Sequence, residues 1–248
     1  MVLYGPRPTE NDLAYNQISR TKKPPAYDGT DPEPFWYCNR NGKSFKVRAG
    51  NWDQFGQWFS IIHSGESQIV EHALRKLTPE GSTVIDVGSA FGSYTIPFLI
   101  HGHPTYAFEV EPEAFHEMMS HIRFNADLIK SEHVNCYNFG LWSSNCTGDF
   151  YDMKNLTFKT LDSVVPSIKD VSFVKIDVEG AEVEVMKGAA QVLQENQPNM
   201  WIECHEVFKP GITPKVLEMI HELGFKGSTI REFELVPGTK HLLVTKSF

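Results

Sequence analysis

The sequence has few cysteines, no long apolar run and no recognisable leader. Its four cysteines lie far apart, at positions 38, 136, 146 and 204, without a CxxC pair. This spacing fits neither a zinc motif nor the framework of a small disulfide-rich domain. No apolar run approaches the ~20 residues of a membrane helix, and the first residues lack the basic and apolar regions of a signal peptide. We therefore predict a cytoplasmic protein with reduced cysteines and no membrane partner.

Basic residues are also fewer than acidic ones. Lysine and arginine number 23 against 31 aspartate and glutamate residues, which gives a net charge of −8 and a pI of about 5.7. The basic residues are scattered, and Lys22-Lys23 is the closest thing to a basic cluster. A nucleic-acid partner is therefore disfavoured. The remaining composition and the length of 248 residues fit one α/β domain with additions.

The N-terminal quarter differs in composition from the rest. Residues 1–34 hold six of the fifteen prolines and few large apolar side chains, so we expect an extended arm. Residues 35–60 are aromatic, and we expect a hydrophobic cap on the sheet, with a substrate lid as the alternative. The aromatic residues are Phe35, Trp36, Tyr37, Trp52, Phe55, Trp58 and Phe59. We thus predict an arm and cap over 1–60 and a catalytic domain over 61–248.

A strand followed by a glycine turn organises the domain. Thr83–Val87 is short, apolar and β-branched, as in a buried parallel strand. Gly88 and Gly92 bracket the following turn, where the absent Cβ atoms let backbone come close to a ligand. Unpaired N–H groups at the start of the next helix suit an anionic group. The turn is not GxGxxG, so a dinucleotide is disfavoured; an ordinary strand-to-helix turn is the alternative.

An acidic residue ends the next predicted strand. Glu109 follows Asp86 by 23 residues, close to the offset of about 20 at which a ribose-binding carboxylate follows a glycine turn. Such a carboxylate can accept two hydrogen bonds from a ribose diol.

Strands and helices then alternate, which predicts a mostly parallel sheet. The predicted strands are 83–87, 104–109, 133–139, 172–177 and 200–205, and the predicted helices are 66–77, 92–101, 112–125, 180–194 and one that starts with Thr213-Pro214. A short hairpin interrupts the alternation at 148–163. An antiparallel hairpin of Phe225–Phe233 and His241–Lys246 closes the chain.

Several segments resemble the FkbM family of methyltransferases. They are VIDVGSAFGSYT, AFEVEPEAF, TLDSVV, KIDVEGAEVEVMKGA and IECH, in that order, between about Glu66 and His205. The resemblance implies a Rossmann-like class I methyltransferase fold, with a mostly parallel seven-stranded sheet, a C-terminal antiparallel hairpin and an N-terminal extension. It also implies S-adenosylmethionine as the cofactor.

The resemblance assigns residues by position. The residues that it implies for cofactor binding are Asp86, Gly88, Ser89 and Gly92 in the turn, Glu109 at the ribose, Asn138, Phe139 and Gly140 beside the adenine, and Asp177 and Glu179 near the methyl group. Two positions depart from the family pattern. Ala90 stands where a small polar residue such as asparagine is usual, which removes a side-chain hydrogen bond. Val110 stands in place of proline.

The implied activity is methyl transfer, and we expect O-methylation of a hydroxyl on a small molecule, sugar or glycan. A non-catalytic cofactor-binding or regulatory protein is the alternative, and a nicotinamide oxidoreductase is disfavoured because GxGxxG is missing. Whether the chain forms a homo-oligomer is left open by the sequence.

Three residues at the ends of the fourth and fifth strands are the candidate catalytic groups. Glu203 and His205 alternate onto one side of their strand, next to Asp177. One interpretation makes His205 the general base and Asp177 an orienting group. A second makes all three the ligands of a divalent metal ion. A third gives Asp177 only a helix-capping role and leaves His205 a strand-end histidine.

Overall fold

The computed structural model of the chain describes residues 17–19, 35–40, 43–48, 65–165 and 168–246. The strands are β1 (Gln17–Ser19), β2 (Phe35–Arg40), β3 (Lys43–Arg48), β4 (Thr83–Val87), β5 (Thr105–Phe108), β6 (Val134–Tyr137), β7 (Gly140–Leu141), β8 (Cys146–Phe150), β9 (Met153–Lys159), β10 (Val171–Ile176), β11 (Asn199–His205), β12 (Thr229–Val236) and β13 (Thr239–Thr245). The helices are α1 (Gly65–Leu77), α2 (Thr95–Ile100), α3 (Pro112–Phe124), α4 (Leu161–Val164), α5 (Glu182–Gly188), α6 (Ala190–Asn196) and α7 (Ile212–Glu222), with a 3₁₀ turn at Ser131–His133.

A seven-stranded sheet forms the centre, in the order β12-β13-β11-β10-β4-β5-β6. The five strands from β11 to β6 are parallel. β13 runs antiparallel to β11, and β12 pairs antiparallel with β13 at the edge of the sheet. The predicted fold class is therefore confirmed. The strand order reverses beside β4, and in open α/β sheets ligands bind at the carboxyl ends of the strands at such a point.

Alternation along the strands separates two apolar faces. On β10, Val174 and Ile176 pack with α5, α6 and α7, whereas Phe173 packs on the other face with Trp201 and α1. Helices on both faces bury the parallel strands, which is why these strands read as nearly continuous apolar runs. No helix in the described ranges is long and apolar enough to cross a membrane.

Strand β3 packs the N-terminal segment against this domain. Phe45 and Val47 are each 1% exposed and pack against α2 and α3. The Asn125 side chain brackets the Lys46 backbone, since its Oδ1 accepts from Lys46 N at 2.7 Å and its Nδ2 donates to Lys46 O at 2.8 Å. These contacts fit the predicted cap.

Much of the predicted arm and cap falls outside the described residues. Gln17–Ser19, in the arm, forms a strand that pairs with β2. The other arm residues lie outside the described ranges, as do Trp52, Phe55, Trp58 and Phe59 and the side chains of Phe35, Trp36 and Tyr37.

Two helices differ from the prediction. The single helix predicted over 180–194 is instead two, α5 and α6, which meet at Ala189. The helix predicted to start with Thr213 as its cap begins at Ile212, because the Glu206 carboxylate already caps it. That carboxylate accepts from Gly211 N at 2.6 Å and from Thr213 N at 2.8 Å.

The other boundaries move by a few residues. The helix predicted over 92–101 starts only at Thr95, after Gly92 with φ +90°. Pro97 consequently falls in the first turn, where its missing N–H breaks no helical bond. In the terminal hairpin β12 covers Thr229–Val236 rather than 225–233.

Candidate active site

The glycine turn after β4 is held between two neighbouring strands. Gly88 N and Ser89 N both donate to Phe108 O on β5, at 3.0 and 3.1 Å. Gly88 has φ +76°, and a Cβ there would stand 1.8 Å from the Asp177 carbonyl oxygen. Only glycine fits this close approach, so the turn stays tight against the end of β10.

Glu109 fixes the other side of the turn. Its Oε2 accepts from Ala90 N at 2.7 Å, and its Oε1 accepts from Glu111 N at 2.8 Å. A carboxylate has about four acceptor sites, so acceptor capacity is left for a ligand. Burial raises the pKa of Glu109, although the backbone N–H groups of Glu111, Ala90 and Val110 oppose the shift.

A cavity of about 210 Å³ opens at these strand ends. Of the predicted cofactor residues, Gly88, Glu109, Gly140, Asp177 and Glu179 line it. The hairpin β8–β9 adds an apolar wall that sequence reasoning missed, consisting of Phe150, Met153 and Phe158 together with the nearby Trp142. Gly140 lies against this wall, where a Cβ would be 2.6 Å from the Phe158 ring.

Five other predicted residues lie outside the cavity lining. Asp86 is fully buried, and its Oδ2 accepts from Thr95 Oγ1 at 2.6 Å. Burial raises its pKa to about 6. Ser89 is buried, and Gly92 faces Met118.

The remaining two are on the segment after β6. Asn138 donates to Glu109 O at 2.9 Å, so it braces the backbone of the acidic residue. Phe139 packs against Phe108, with their ring centroids 5.7 Å apart.

A buried lysine joins the predicted catalytic carboxylates. Lys175 is 1% exposed, and its Nζ lies 2.8 Å from Asp177 Oδ2 and 3.3 Å from Glu203 Oε1. Burial alone would raise the pKa of Asp177, but the ammonium holds it below its ordinary value. Asp177 is therefore ionised at neutral pH. Lys175 and Asp177 are two residues apart, so their side chains point to the same side of the strand. This alternation is the sequence signal from which Lys175 could have been predicted.

His205 lies between two acids. Its Nε2 is 3.6 Å from Asp177 Oδ1, and its Nδ1 is 3.1 Å from Glu182 Oε1. Burial alone would lower the pKa of His205, but the Glu182 hydrogen bond and the Asp177 charge raise it. The ring is thus held by α5 with one nitrogen toward the carboxylate at the end of β10.

The same residues do not suit a divalent ion. One ligand atom each from Asp177, Glu203 and His205 lie within 4.8 Å of one another. The Lys175 ammonium, however, contacts both carboxylates and already supplies their positive charge. A divalent ion would face that ammonium at close range, and the two would repel each other.

Comparison with known proteins agrees with this geometry. The methyltransferase FkbM domain family matches residues 86–227, a span that includes the glycine turn, Glu109, Asp177 and His205. The chain belongs to the FkbM methyltransferase family. The predicted resemblance is confirmed.

Solved structures show the same fold. An FkbM methyltransferase from Methylobacillus flagellatus KT aligns with a TM-score of 0.56 and 16% identity over 66% of this chain and 44% of that chain. The present chain thus spans less than half of that FkbM protein. An rRNA methylase from Streptococcus thermophilus aligns with a TM-score of 0.50 and 14% identity, over 73% of this chain and 96% of that one. None of the curated proteins compared with the chain matches it.

Proposed function

We propose that this FkbM protein transfers a methyl group from S-adenosylmethionine to a hydroxyl of a small molecule, sugar or glycan. The observation that carries the proposal is that the cavity and the candidate catalytic residues adjoin at the carboxyl ends of β4, β5 and β10. Asp177 lines the cavity together with Glu109, and it also faces His205.

The cavity residues suit this cofactor. The free acceptor sites of Glu109 match a ribose diol, and Trp142 and Phe158 offer aromatic surface to an adenine ring. Asp177 and Glu179 line the cavity with acidic groups, which would suit a positively charged sulfonium. S-adenosylmethionine, when bound, supplies the methyl group and a neutral sulfur leaving group.

The residues beyond the cavity suit a hydroxyl acceptor. A hydroxyl needs a base to take its proton, and His205 is a suitable one near neutral pH. Asp177 would orient His205 or the acceptor. The surrounding acids and the net charge of −8 disfavour nucleic acid as the acceptor. A cytoplasmic location and the oligomeric state stay predictions.

Calorimetric titration with S-adenosylmethionine and, separately, with a nicotinamide dinucleotide tests the cofactor. A turnover assay on a panel of hydroxylated acceptors, with and without a chelator, then tests the reaction. We expect binding of the methyl donor alone and chelator-resistant methylation. Tight nicotinamide binding alone would refute the proposal. Donor binding without turnover on any acceptor would favour a non-catalytic, cofactor-binding protein.

A further inference from the structure

A pair of carboxyl groups lies next to Asp177. Glu66 comes from the first turn of α1 and is half-buried, whereas Glu203 comes from β11 and is buried. One carboxyl oxygen of each lies within 4.8 Å of the other, and Glu203 is equally close to Asp177. Two carboxylates at this distance repel each other, so the ionised form of one favours the protonated form of the other.

The charges around the pair lead to the same conclusion. Lys175, from β10, contacts Asp177 and Glu203 and carries one positive charge for three carboxyl groups. Tyr94 donates its hydroxyl hydrogen to Glu66 Oε1 at 2.5 Å but adds no charge. Two further negative charges would be buried here without a cation, which is costly.

His241, from β13, does not supply the missing cation. It is fully buried, and its Nε2 lies 3.4 Å from Glu203 Oε2. Neither ring nitrogen has a hydrogen-bond partner among the described residues. Burial lowers the pKa of His241, although the nearby acids oppose the shift. Because His241 is neutral, it does not balance the charge of Glu203. The proton that reduces the negative charge therefore lies on the carboxyl pair.

The pKa directions agree with this geometry. Burial, followed by the charge of Glu203, raises the pKa of Glu66 to about 8. Burial, followed by the charge of Asp177, raises the pKa of Glu203 to about 7. Among the described residues, Asp86 on β4 and His205 on β11 also face the cluster.

We propose that Glu66 and Glu203 share one proton and act together as the acceptor of the proton that methyl transfer releases. The inference rests on the proposed function. In that reaction the oxygen–carbon bond forms while the sulfur–carbon bond breaks, and the electron pair of the broken bond goes to sulfur. The hydroxyl proton passes from His205, by way of the Asp177 carboxylate, to the pair, and later leaves to solvent.

The shared proton is tested on the free protein, without cofactor or acceptor. Carboxyl carbons of ¹³C-labelled glutamate are titrated by NMR in the wild-type full chain and in the Glu66→Gln and Glu203→Gln variants. We expect midpoints for Glu66 and Glu203 several pH units above the ordinary value of about 4.3. Glu203→Gln should lower the midpoint of Glu66, because it removes the like charge. Glu184→Gln, a control on α5, should leave both midpoints unchanged.

Two results would overturn the shared proton. The first is that both carboxyls are ionised throughout the range from about pH 6 upward. The second is stoichiometric binding of a divalent ion by Glu66, Glu203 and His241, detected as midpoints that fall when Zn²⁺ or Mn²⁺ is added to chelator-treated protein. In that case the pair would be a metal site.

The proton-accepting role is tested by the pH profile of turnover. Glu66→Gln should shift the acidic limb of that profile by about one pH unit, with the affinity for S-adenosylmethionine unchanged. An unchanged profile would refute the role and leave the proposed function intact. A wild-type protein that methylates no hydroxyl would refute both, whereas the NMR titration would still decide whether the proton is shared.

Discussion

The carboxylate of Glu109 both holds the glycine turn and faces the cavity. Replacing it with alanine removes the two acceptors of Ala90 N and Glu111 N and the proposed ribose contact. We expect Glu109→Ala to weaken binding of S-adenosylmethionine by about 1–3 kcal/mol, measured by calorimetry. Glu113→Ala, an exposed change on α3, is the matched control. Equal affinities of Glu109→Ala and wild type would show that the ribose assignment is wrong.

His205 is the side chain whose removal should separate chemistry from binding. His205→Ala should lower turnover by about 10²–10⁴-fold and leave donor affinity intact, because the ring lies outside the cavity lining. His116→Ala on α3 serves as the control. Unchanged turnover in both His205→Ala and Asp177→Asn would leave the two residues only structural roles.

The pH dependence of turnover should depend on Glu182. Its hydrogen bond raises the pKa of His205, and a base works only above its own pKa. Turnover should therefore fall as the pH drops through that value. Glu182→Gln weakens the effect, so the acidic limb of the profile should move to lower pH. An acidic limb that stays in place in Glu182→Gln would show that the limb reports another group.

Sequence reasoning identified the site residues that follow strands but missed those that face them from elsewhere. Glu109, Asp177 and His205 could be found because parallel strands end at one edge of the sheet. Glu66 and His241 belong to a helix and a strand far away in sequence, and only the tertiary fold brings them to Glu203. Their positions could not be deduced from local spacing.

At the scale of single elements, the end of α5 packs tightly against the residue that follows β7. Gly188 lies so close to Trp142 that a Cβ would stand 1.9 Å from the Trp142 carbonyl oxygen. We expect Gly188→Ala to destabilise the protein by about 1–3 kcal/mol, the usual cost of overpacking, measured by urea denaturation. Gly148→Ala is the control, because its Cβ would meet nothing within 4 Å. Equal stabilities of the two variants would contradict the steric explanation.

Most strands could be predicted from their apolar runs, whereas helix ends and the β8–β9 hairpin wall could not. Thr83–Val87 is a strand as predicted, because burial on both faces selects β-branched residues. The start of α7 depends on the Glu206 carboxylate, a contact across the turn that the pattern Thr213-Pro214 did not reveal. The hairpin strand Cys146–Phe150 is mostly exposed, so it lacks a hydrophobic period.

At the scale of the whole molecule, the buried acids should make stability fall as the pH rises from about 7 to 8. The folded-state pKa of Glu66 is raised to about 8, so the native protein binds a proton there that the unfolded chain has already lost. A group of this kind stabilises at low pH and loses its contribution as the pH passes through its folded pKa. Its full slope is about 1.4 kcal/mol per pH unit.

Urea denaturation at pH 7 and pH 8 measures this change. Histidines with lowered pKa values, such as His241, act in the opposite direction but only around and below about pH 6.5, so they do not mask it. Glu66→Gln should flatten the difference between the two pH values, and Glu184→Gln should not. A wild-type protein equally stable at both would contradict the assignment of a protonated Glu66.

The N-terminal segment should divide into a dispensable arm and an essential cap. Deleting residues 1–34 removes β1, whose described pairing is with β2, so the shortened chain should still fold. Deleting residues 1–60 also removes Phe45 and Val47 from the core around α2 and α3. Burial of two such side chains contributes about 3–6 kcal/mol to a total stability that is usually about 5–15 kcal/mol.

That second deletion also leaves the Asn125 amide, which is fully buried, without its partners on Lys46. Nδ2 keeps its bond to His121 O, but an amide oxygen that has lost its donor adds about 1–3 kcal/mol to the loss. Circular dichroism melts of the two truncated proteins beside the full chain provide the measurement. We expect a cooperative transition for 35–248 and none for 61–248. A soluble 61–248 fragment that unfolds cooperatively would show that the methyltransferase domain does not need β3.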